Sequence, residues 1–384
     1  YTLWHTLSLH DALPISYEYD LNTGQLTNEV VVMGGKTTLI TRTSDTLGRP
    51  SGLSLGGASS PNTPYSVSYG YDSVGRFSAI TSDVSGVQQA WTYDYTGSLI
   101  TGMTGPNDIS VSRAYAQNRD VLTGLSYTVD GTEVVGFDYS VDALGRRVER
   151  IDQRGVVAQT NEFGYNLRSE VVSADMNSDT FNYEYDPLGN RISATTVVSS
   201  TATELGYSAN GLNQYTNIVT GASSATPKYD ADGNLTNDAV FAYTWNAENR
   251  LVEAVPFSPS NGYPPRKKAI YEYDHMGRRC RRVLYDWSGS AWASPVTNVY
   301  LYDGWNMIRE TQNSSLGAES FSYVWGLDLS GSLQGAGGVG GLLSVIHETG
   351  TETNAYTVCS DGNGNCTDYL DDTGSVVAHY GYSP

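Results

Sequence analysis

Cysteine, histidine and phenylalanine are scarce in this chain of 384 residues, which has 3 Cys, 5 His and 7 Phe. Three cysteines are too few for the disulfide framework on which small secreted scaffolds depend. The longest weakly polar stretch, 335–346, is rich in glycine and far shorter than the roughly 20 residues of a membrane-spanning helix. These shortages exclude a disulfide scaffold and predict no membrane span.

Positive charge is also in short supply, because 22 Lys and Arg stand against 41 Asp and Glu, a net charge of −19. Nucleic acids and anionic membranes select for clustered Lys and Arg. We therefore expect neither to be a general partner of this chain.

Tyrosine and glycine are abundant, with 29 Tyr and 41 Gly. Tyrosine favours strands and glycine favours turns, whereas no long window shows the 3.6-residue spacing of amphipathic helices. The composition predicts an all-β fold with many turns.

Internal repetition is the strongest feature of the sequence. One unit combines an aromatic-x-aromatic pair with Asp-x-x-Gly and then Arg or Asn, as in Tyr69-Gly-Tyr-Asp-Ser-Val-Gly-Arg76. Tyr71, Tyr93, Tyr115 and Tyr139 follow one another at nearly equal intervals. One unit is therefore about 20–25 residues long. Weaker copies include 44–49, 142–146 and 228–234.

Each unit has the pattern of an antiparallel β-hairpin. Both rings of the aromatic pair lie on one face of a strand, and the Asp carboxylate accepts backbone N–H groups in the turn. Glycine takes the position that needs positive φ. The predicted structural turn residues are Asp72, Gly75, Arg76, Asp142, Gly145, Arg146, Asp186, Gly189, Asn190, Asp230, Gly233, Asp274, Gly277 and Arg278.

A single hairpin cannot bury its aromatic face, so successive hairpins must stack side by side. Strand twist makes so long a sheet coil and enclose space. The expected architecture is all-β: stacked antiparallel β-hairpins coiling as a shell, an open partial β-barrel or solenoid-like form.

Residues 1–16 share nothing with the repeat and lack the basic start and apolar centre of a signal peptide. They resemble the translation of a sequencing adapter, and we expect them to be non-native. Because the pattern also stops at Pro384 in mid-unit, we expect the chain to be an internal fragment.

The repeats resemble the RHS/YD-repeat family, whose motif is Tyr-Asp-x-x-Gly-Arg. Residues 323–342 resemble the stretch before the RHS core, and 361–365 and 371–384 resemble its opening. The resemblance implies a hollow β-shell, as in bacterial RHS toxins, toxin-complex C subunits and teneurins. It divides the chain into repeats at 17–355 and the truncated start of the RHS-associated core at 356–384.

The resemblance also implies a function. The chain would be a non-catalytic shell segment of a secreted or surface bacterial protein, and would enclose or present a C-terminal effector of the same polypeptide. The family's self-cleaving segment lies downstream, so no catalytic residue is transferred, and we expect neither enzyme activity nor a cofactor. The alternative is an adhesion or carbohydrate-binding module whose exposed rings contact cell-surface glycans.

Two glycine motifs suggest chemistry but fit turns and strands better. Gly335-Ala-Gly-Gly-Val-Gly340 matches a dinucleotide-binding fingerprint. That fingerprint also needs an acidic residue about 20 positions further on, and Glu348 comes too early to fill this role. Gly52-Leu-Ser-Leu-Gly56 matches a nucleophile elbow, which needs a strand-to-helix turn and a triad. An enzyme would require Ser54 to converge with an Asp and with His275, His347 or His379, which we do not expect.

Asp361, Asn363, Asn365 and Asp372 occupy positions 1, 3, 5 and 12 of an EF-hand count. Position 6 is Cys366 where glycine is required, so a repeat turn is the preferred interpretation and no metal site is predicted.

Basic residues concentrate at 266–268 and 278–282. Ion pairing with acidic neighbouring hairpins is the default interpretation. There are two alternatives: the basic residues form a nucleic-acid site, or they line a shell interior and meet an enclosed cargo.

Cys359 and Cys366 flank the sequence Asp-Gly-Asn-Gly. A four-residue loop would place the sulfurs opposite each other and permit a disulfide, whereas a three-residue loop with a bulge would point them to opposite faces.

Overall fold

The computed structural model describes residues 15–33, 36–57, 65–259 and 266–384. Within these ranges the chain is all-β, with 32 strands and no helix. The predicted fold class is therefore confirmed. Most of the segment predicted to be non-native, residues 1–14, lies outside the described residues.

The strands form two antiparallel sheets, β1–β19 and β20–β32. The strands of the first sheet are β1 (Ile15–Tyr19), β2 (Leu26–Met33), β3 (Lys36–Ser44), β4 (Pro50–Gly56), β5 (Tyr65–Tyr71), β6 (Phe77–Val84), β7 (Val87–Thr96), β8 (Leu99–Thr104), β9 (Ile109–Tyr115), β10 (Leu122–Val129), β11 (Thr132–Val141), β12 (Arg147–Arg154), β13 (Val157–Tyr165), β14 (Val171–Met176), β15 (Asp179–Tyr185), β16 (Arg191–Val198), β17 (Thr201–Ala209), β18 (Tyr215–Thr220) and β19 (Ser223–Ala225).

The second sheet continues the same hairpin pattern. Its strands are β20 (Lys228–Tyr229), β21 (Leu235–Asn237), β22 (Phe241–Trp245), β23 (Leu251–Pro256), β24 (Lys268–Tyr273), β25 (Arg279–Trp287), β26 (Trp292–Asp303), β27 (Asn306–Ser314), β28 (Gly317–Trp325), β29 (Leu342–Glu348), β30 (Thr353–Ser360), β31 (Cys366–Leu370) and β32 (Val376–His379).

Two compact units divide the chain. The first comprises the described residues up to Val135 together with Glu272–Arg281 and Asn298–Tyr380. Residues at alternate positions of its strands are buried and form its core, as along β7. The largest fully buried side chains of the described residues all lie in this unit, and they include Trp91, Tyr65, Ile40, Ile80, Ile109 and Ile308.

The second unit comprises Gly136–Tyr271, Arg282–Thr297 and Gly381–Pro384. Its buried apolar side chains are mostly aromatic or small, as with Phe137, Tyr139, Tyr183 and Ala194. Broad rings on one strand therefore pack beside small residues on the next, and Tyr183 stands directly opposite Ala194.

A bulge ends the first strand of many hairpins. In the hairpin of β5 and β6, the register shifts between Gly70 and Tyr71, so that Tyr71 stands opposite Phe77. Tyr69 and Tyr71 both contact the Phe77 ring, each with centroids 5.7 Å apart. The bulge thus places the aromatic pair against the same ring and starts the turn.

Candidate functional site

The Asp-x-x-Gly-Arg turn is held by its own aspartate. Asp72 Oδ1 accepts the backbone N–H groups of Val74 and Arg76 at 3.0 and 2.8 Å, and Oδ2 accepts Arg76 Nε at 2.7 Å. Gly75 donates its N–H to the Asp72 carbonyl and has φ of +91°, which glycine adopts at least cost. One carboxylate therefore fixes both the backbone and the arginine side chain.

The other predicted turn residues adopt the same geometry. Asp142, Asp186, Asp230 and Asp274 each accept the backbone N–H two and four residues later. Positive φ recurs at Gly145, Gly189, Gly233 and Gly277. The side chains that bond to these carboxylates are Arg146, Asn190, Asn234 and Arg278.

Each turn arginine also binds the next hairpin, an arrangement that we call the latch. The Arg76 guanidinium lies 4.5 Å from the centre of the Tyr95 ring, and its Nη1 donates to the Gly97 carbonyl at 2.6 Å. The Tyr95 hydroxyl donates back to the Phe77 carbonyl at 2.6 Å. A cation–π contact and two hydrogen bonds thus join consecutive hairpins.

The latch recurs in both units. Guanidinium-to-ring distances are 3.9 Å for Arg49 over Tyr71, 4.8 Å for Arg146 over Tyr165 and 5.1 Å for Arg278 over Tyr302. In each pair the tyrosine hydroxyl donates to the carbonyl of the residue after the arginine: Pro50, Arg147 and Arg279.

Where asparagine replaces the turn arginine, its shorter side chain reaches a different partner. Asn190 Nδ2 reaches Asn213 Oδ1 in the next turn at 3.3 Å, and Asn234 Nδ2 reaches Asn249 Oδ1 at 2.8 Å. The asparagine side chain is too short to cover a ring, so it bonds to the neighbouring turn itself.

The latch holds its ionisable groups in the charge states that it uses. The side-chain hydrogen bond from Arg76 lowers the pKa of Asp72, and burial raises the pKa of Tyr302 to about 12. The carboxylate therefore stays ionised and the phenol stays protonated, so that one accepts and the other donates.

The turn aspartates predict that the fold loses stability in acid. Because the folded-state pKa of Asp72 lies below its ordinary 3.8, the unfolded chain takes up protons first as the pH falls. Stability is then complete above about pH 4 and is lost as the pH passes through the lowered pKa. Calorimetry should show a Tm about 5 °C or more lower at pH 3 than at pH 5. A chain with Asp45→Asn and Asp72→Asn should show a weaker dependence, and an unchanged Tm between these pH values would refute the prediction.

A second polar cluster is buried in the first unit. Glu29, only 2% exposed, accepts Arg42 Nη2 at 2.9 Å and lies 3.5 Å from Arg278 Nη2. Arg278 also binds Asp274 at 2.7 Å, and Arg42 binds Asp303 at 2.8 Å. Two arginines and three carboxylates thus share one site, which sequence reasoning missed because Glu29 and Arg278 are 249 residues apart.

Basic residues of the segments 266–268 and 278–282 form ion pairs with acidic residues. Ion pairing was the default interpretation of this positive charge. Lys267 binds Asp286 at 2.9 Å and Lys268 binds Glu253 at 2.6 Å. Arg281 pairs with Glu272 on the adjacent strand.

The two glycine motifs occupy a strand and a loop. Ser54 lies in the middle of β4, opposite Thr41 and Ser66, rather than at a strand-to-helix turn. In the 335–340 loop, the buried Asp328 accepts the N–H groups of Ala336 and Gly338 at 2.6 and 3.2 Å.

The histidines considered for a triad bond elsewhere. His275 Nε2 lies 3.0 Å from the Tyr17 hydroxyl. His347 pairs with Glu319 at 3.2 Å and His379 with Asp368 at 2.9 Å.

The segment with the EF-hand count is a repeat turn. Asp361 Oδ1 accepts the N–H groups of Asn363 and Asn365, and its Oδ2 accepts the Asn365 amide at 3.0 Å. The loop is bulged, so Cys366 faces Ser360 while Cys359 faces Asp368. Of the two alternatives for the cysteines, the structure has the one without a disulfide, and both keep their thiols.

An aromatic cleft of about 410 Å³ lies in the first unit, on strands β27–β31. The Phe321 and His347 rings stack with centroids 4.3 Å apart, and the Tyr323 hydroxyl donates to Glu310 at 3.2 Å. The alternative function, a carbohydrate-binding module, required exposed rings but did not locate them, because the cleft forms only when the strands pair. Its lining is Glu310, Phe321, Tyr323, Val345, His347, Tyr356, Tyr369 and Tyr380.

Comparison with known proteins agrees with the repeat geometry. Residues 108–291 match the family described as Teneurin YD-shell. The chain resembles the RHS/YD-repeat family, as its motifs predicted. The latched hairpins before residue 108 and after residue 291 repeat the unit found within the match, and the YD-shell is a structural part of proteins of this family.

Proteins similar to this chain include two from Bacillus. The chain is 30% identical over 202 residues to the tRNA3(Ser)-specific nuclease WapA of Bacillus spizizenii. This match covers 52% of the chain and 7% of that protein. The chain is 31% identical over 143 residues to the tRNA nuclease WapA of Bacillus subtilis, covering 37% and 5%. The chain therefore spans less than a tenth of the length of these relatives.

Similar solved structures include the crystal structure of TcdB2-TccC3-Cdc42, with 12% identity and a TM-score of 0.45 over 97% of this chain and 24% of that one. The Tc holotoxin pore of Photorhabdus luminescens matches with 13% identity and a TM-score of 0.43, over 97% and 23%. Among the described residues, no helix has the length and apolarity to cross a membrane.

Proposed function

We propose that this RHS/YD-repeat chain is a length of wall that encloses a C-terminal effector of the same polypeptide, in a secreted or surface-exposed bacterial protein, and that it catalyses no reaction itself. The observation that carries the proposal is the latch. It joins hairpin to hairpin within each unit and gives the repeats of this structural family a mechanical connection.

The chemistry of the turns supports a structural role. Their aspartates would be the obvious catalytic carboxylates, but each is committed to two backbone N–H groups and one side chain. A carboxylate so fully bonded is stabilised in its ionised form and is a poor acid or base near neutral pH. Structure rather than reactivity explains why these groups are placed there.

Protection from protease tests enclosure. The native polypeptide that contains this chain is digested with a low concentration of trypsin. In a parallel digestion, the segment that follows the shell is expressed and digested on its own. Enclosure predicts that the segment resists digestion in the whole protein and is degraded when isolated. Equal rates of degradation would refute enclosure.

A matched pair of variants sharpens that test. Arg278→Ala removes a buried latch arginine and should expose the enclosed segment to trypsin, whereas Leu316→Ala changes a side chain that is 97% exposed and should not. Loss of protection in both variants would show that it does not depend on the wall.

A second candidate function, contact with glycans, is favoured by the aromatic cleft. Half-exposed rings beside a carboxylate and an imidazole suit a sugar, whose apolar face packs on rings while its hydroxyl groups bind polar side chains. We expect a glycan array to detect binding that Tyr369→Ala abolishes and Trp305→Ala, at an exposed ring elsewhere, leaves intact. Absence of binding, or equal loss in both variants, would eliminate this candidate.

A further inference from the structure

A row of side chains across three strands places a carboxylate beside the rings of the aromatic cleft. Glu310 of β27 stands opposite Phe321 of β28, and Phe321 stands opposite His347 of β29. Tyr323 follows two positions further along β28, so it lies on the same face of the sheet as Phe321. The pairing of the strands therefore fixes an acidic group and two aromatic rings on one face.

Three more tyrosines complete the aromatic lining of the cleft. Tyr356 of β30 stands opposite Val345 of β29. The Tyr369 and Tyr380 rings meet edge to face with centroids 5.5 Å apart, and Tyr380 is 46% exposed. The cleft is thus open to a ligand on the side of Tyr380, and its walls are mostly ring surface.

The Glu310 carboxylate is oriented by neutral donors. Asn298 Nδ2 donates to Oε1 at 2.6 Å, and the Tyr323 hydroxyl donates to Oε2 at 3.2 Å. Burial and the nearby charge of Glu310 raise the pKa of Tyr323, so the phenol keeps its proton and remains a donor. These two bonds hold the carboxylate in place without neutralising its charge.

The segment that builds most of the cleft is strongly acidic. Positions 310–384 contain neither Lys nor Arg but nine Asp and Glu. Arg309 points to the opposite face of β27, where it binds Glu348 at 3.1 Å. The His347 imidazole in the lining is paired with Glu319 at 3.2 Å, and this carboxylate offsets any charge that the imidazole takes up. The cleft therefore lies in a region of negative charge.

Ring faces and a carboxylate attract the same kind of group. The quadrupole of an aromatic ring attracts a cation placed over its face, and an ionised carboxylate makes its strongest hydrogen bonds with charged donors. A neutral sugar would use the rings but would leave the charge of Glu310 uncompensated in a half-buried site, where salt screens it less than at the surface. Charge complementarity thus favours a cationic ligand.

We infer that the ligand of the aromatic cleft is a glycan with free amino groups, one of which lies as an ammonium group over the rings and donates to the Glu310 carboxylate. The inference rests on the second candidate function, contact with glycans, and names the class of glycan. The cleft, at about 410 Å³, has the size of a site for a small ligand.

Two oligosaccharides that differ only in acetylation of their amino groups test the inference. A chitosan oligosaccharide is protonated near neutral pH, whereas a chitin oligosaccharide of equal length is neutral. Isothermal titration calorimetry with the whole chain measures both Kd values. We expect the chitosan form to bind about tenfold more tightly, which a cation–π contact and a charge-assisted hydrogen bond at a partly exposed site supply. Added salt should reduce this difference.

A matched pair of acidic variants locates the charge. Glu310→Gln keeps the shape of the side chain and removes its charge, so it should bring the two Kd values together while the chitin form still binds. Glu352→Gln removes an exposed charge between β29 and β30 and should keep the tenfold difference. Binding of the chitin form to Glu310→Gln also reports that the cleft is folded.

The outcomes separate this inference from the candidate function on which it rests. Equal affinity of the unmodified chain for the two oligosaccharides would overturn the inference and leave contact with glycans standing. Binding of neither form would eliminate both. An equal loss of chitosan affinity in Glu310→Gln and Glu352→Gln would show attraction to the overall negative charge of the chain, and would also overturn the inference.

Discussion

Arg278→Ala is expected to lower the free energy of unfolding by about 3–5 kcal/mol, because it leaves buried charge without its partner. Arg278 is 5% exposed and lies between Asp274 and Glu29, which are 3% and 2% exposed. Without the guanidinium, two carboxylates face each other in the core of the first unit. Equilibrium denaturation in urea measures the loss.

The matched control is Arg76→Ala, at the same position of another turn. The Arg76 side chain is 40% exposed and its aspartate is also solvent-accessible, so water can replace the lost bonds. We expect this variant to lose a small fraction of what Arg278→Ala loses. Equal losses would mean that burial of the cluster around Glu29 contributes nothing.

Trp91→Ala is expected to cost about 3–5 kcal/mol, the range for removal of a large buried ring. Trp91 is 1% exposed in β7, and Gly105 packs directly against its ring, where no Cβ would fit. The surrounding strands are tied to one another by backbone hydrogen bonds and cannot close the space. Urea denaturation should show a lower midpoint with little change in slope.

Trp305→Ala provides the comparison for that substitution. Trp305 is 57% exposed, so its removal should change the free energy of unfolding by no more than about 0.5 kcal/mol. If the two tryptophan variants were equally stable, the core of the first unit would not lie where the structure puts it.

Local features of the repeat could be predicted because their causes are local. Asp72, Gly75 and Arg76 interact within one turn, and the positive φ at Gly75 follows from the turn that contains it. The aromatic pair before the turn likewise fixes the hairpin. The same reasoning correctly gave an all-β fold from tyrosine and glycine alone.

Features that depend on pairing between distant strands could not be predicted. The partner of the Tyr95 hydroxyl is the carbonyl of Phe77 in the preceding hairpin, and a sequence motif carries no sign of a bond between units. Glu29 and Arg278 are 249 residues apart in the sequence and meet only in the folded chain. The division at residues 17–355 and 356–384 stays a prediction, as do the effector and the location of the protein.

Each turn arginine binds the hairpin that follows it, so a latch always joins neighbours in the repeat order. Deletion of one whole repeat, from one turn to the next, therefore places another turn arginine beside another tyrosine and keeps the hairpins joined. A deletion within a single strand instead separates a turn arginine from its tyrosine. We therefore expect such an array to tolerate gain or loss of an entire period better than a deletion within one period.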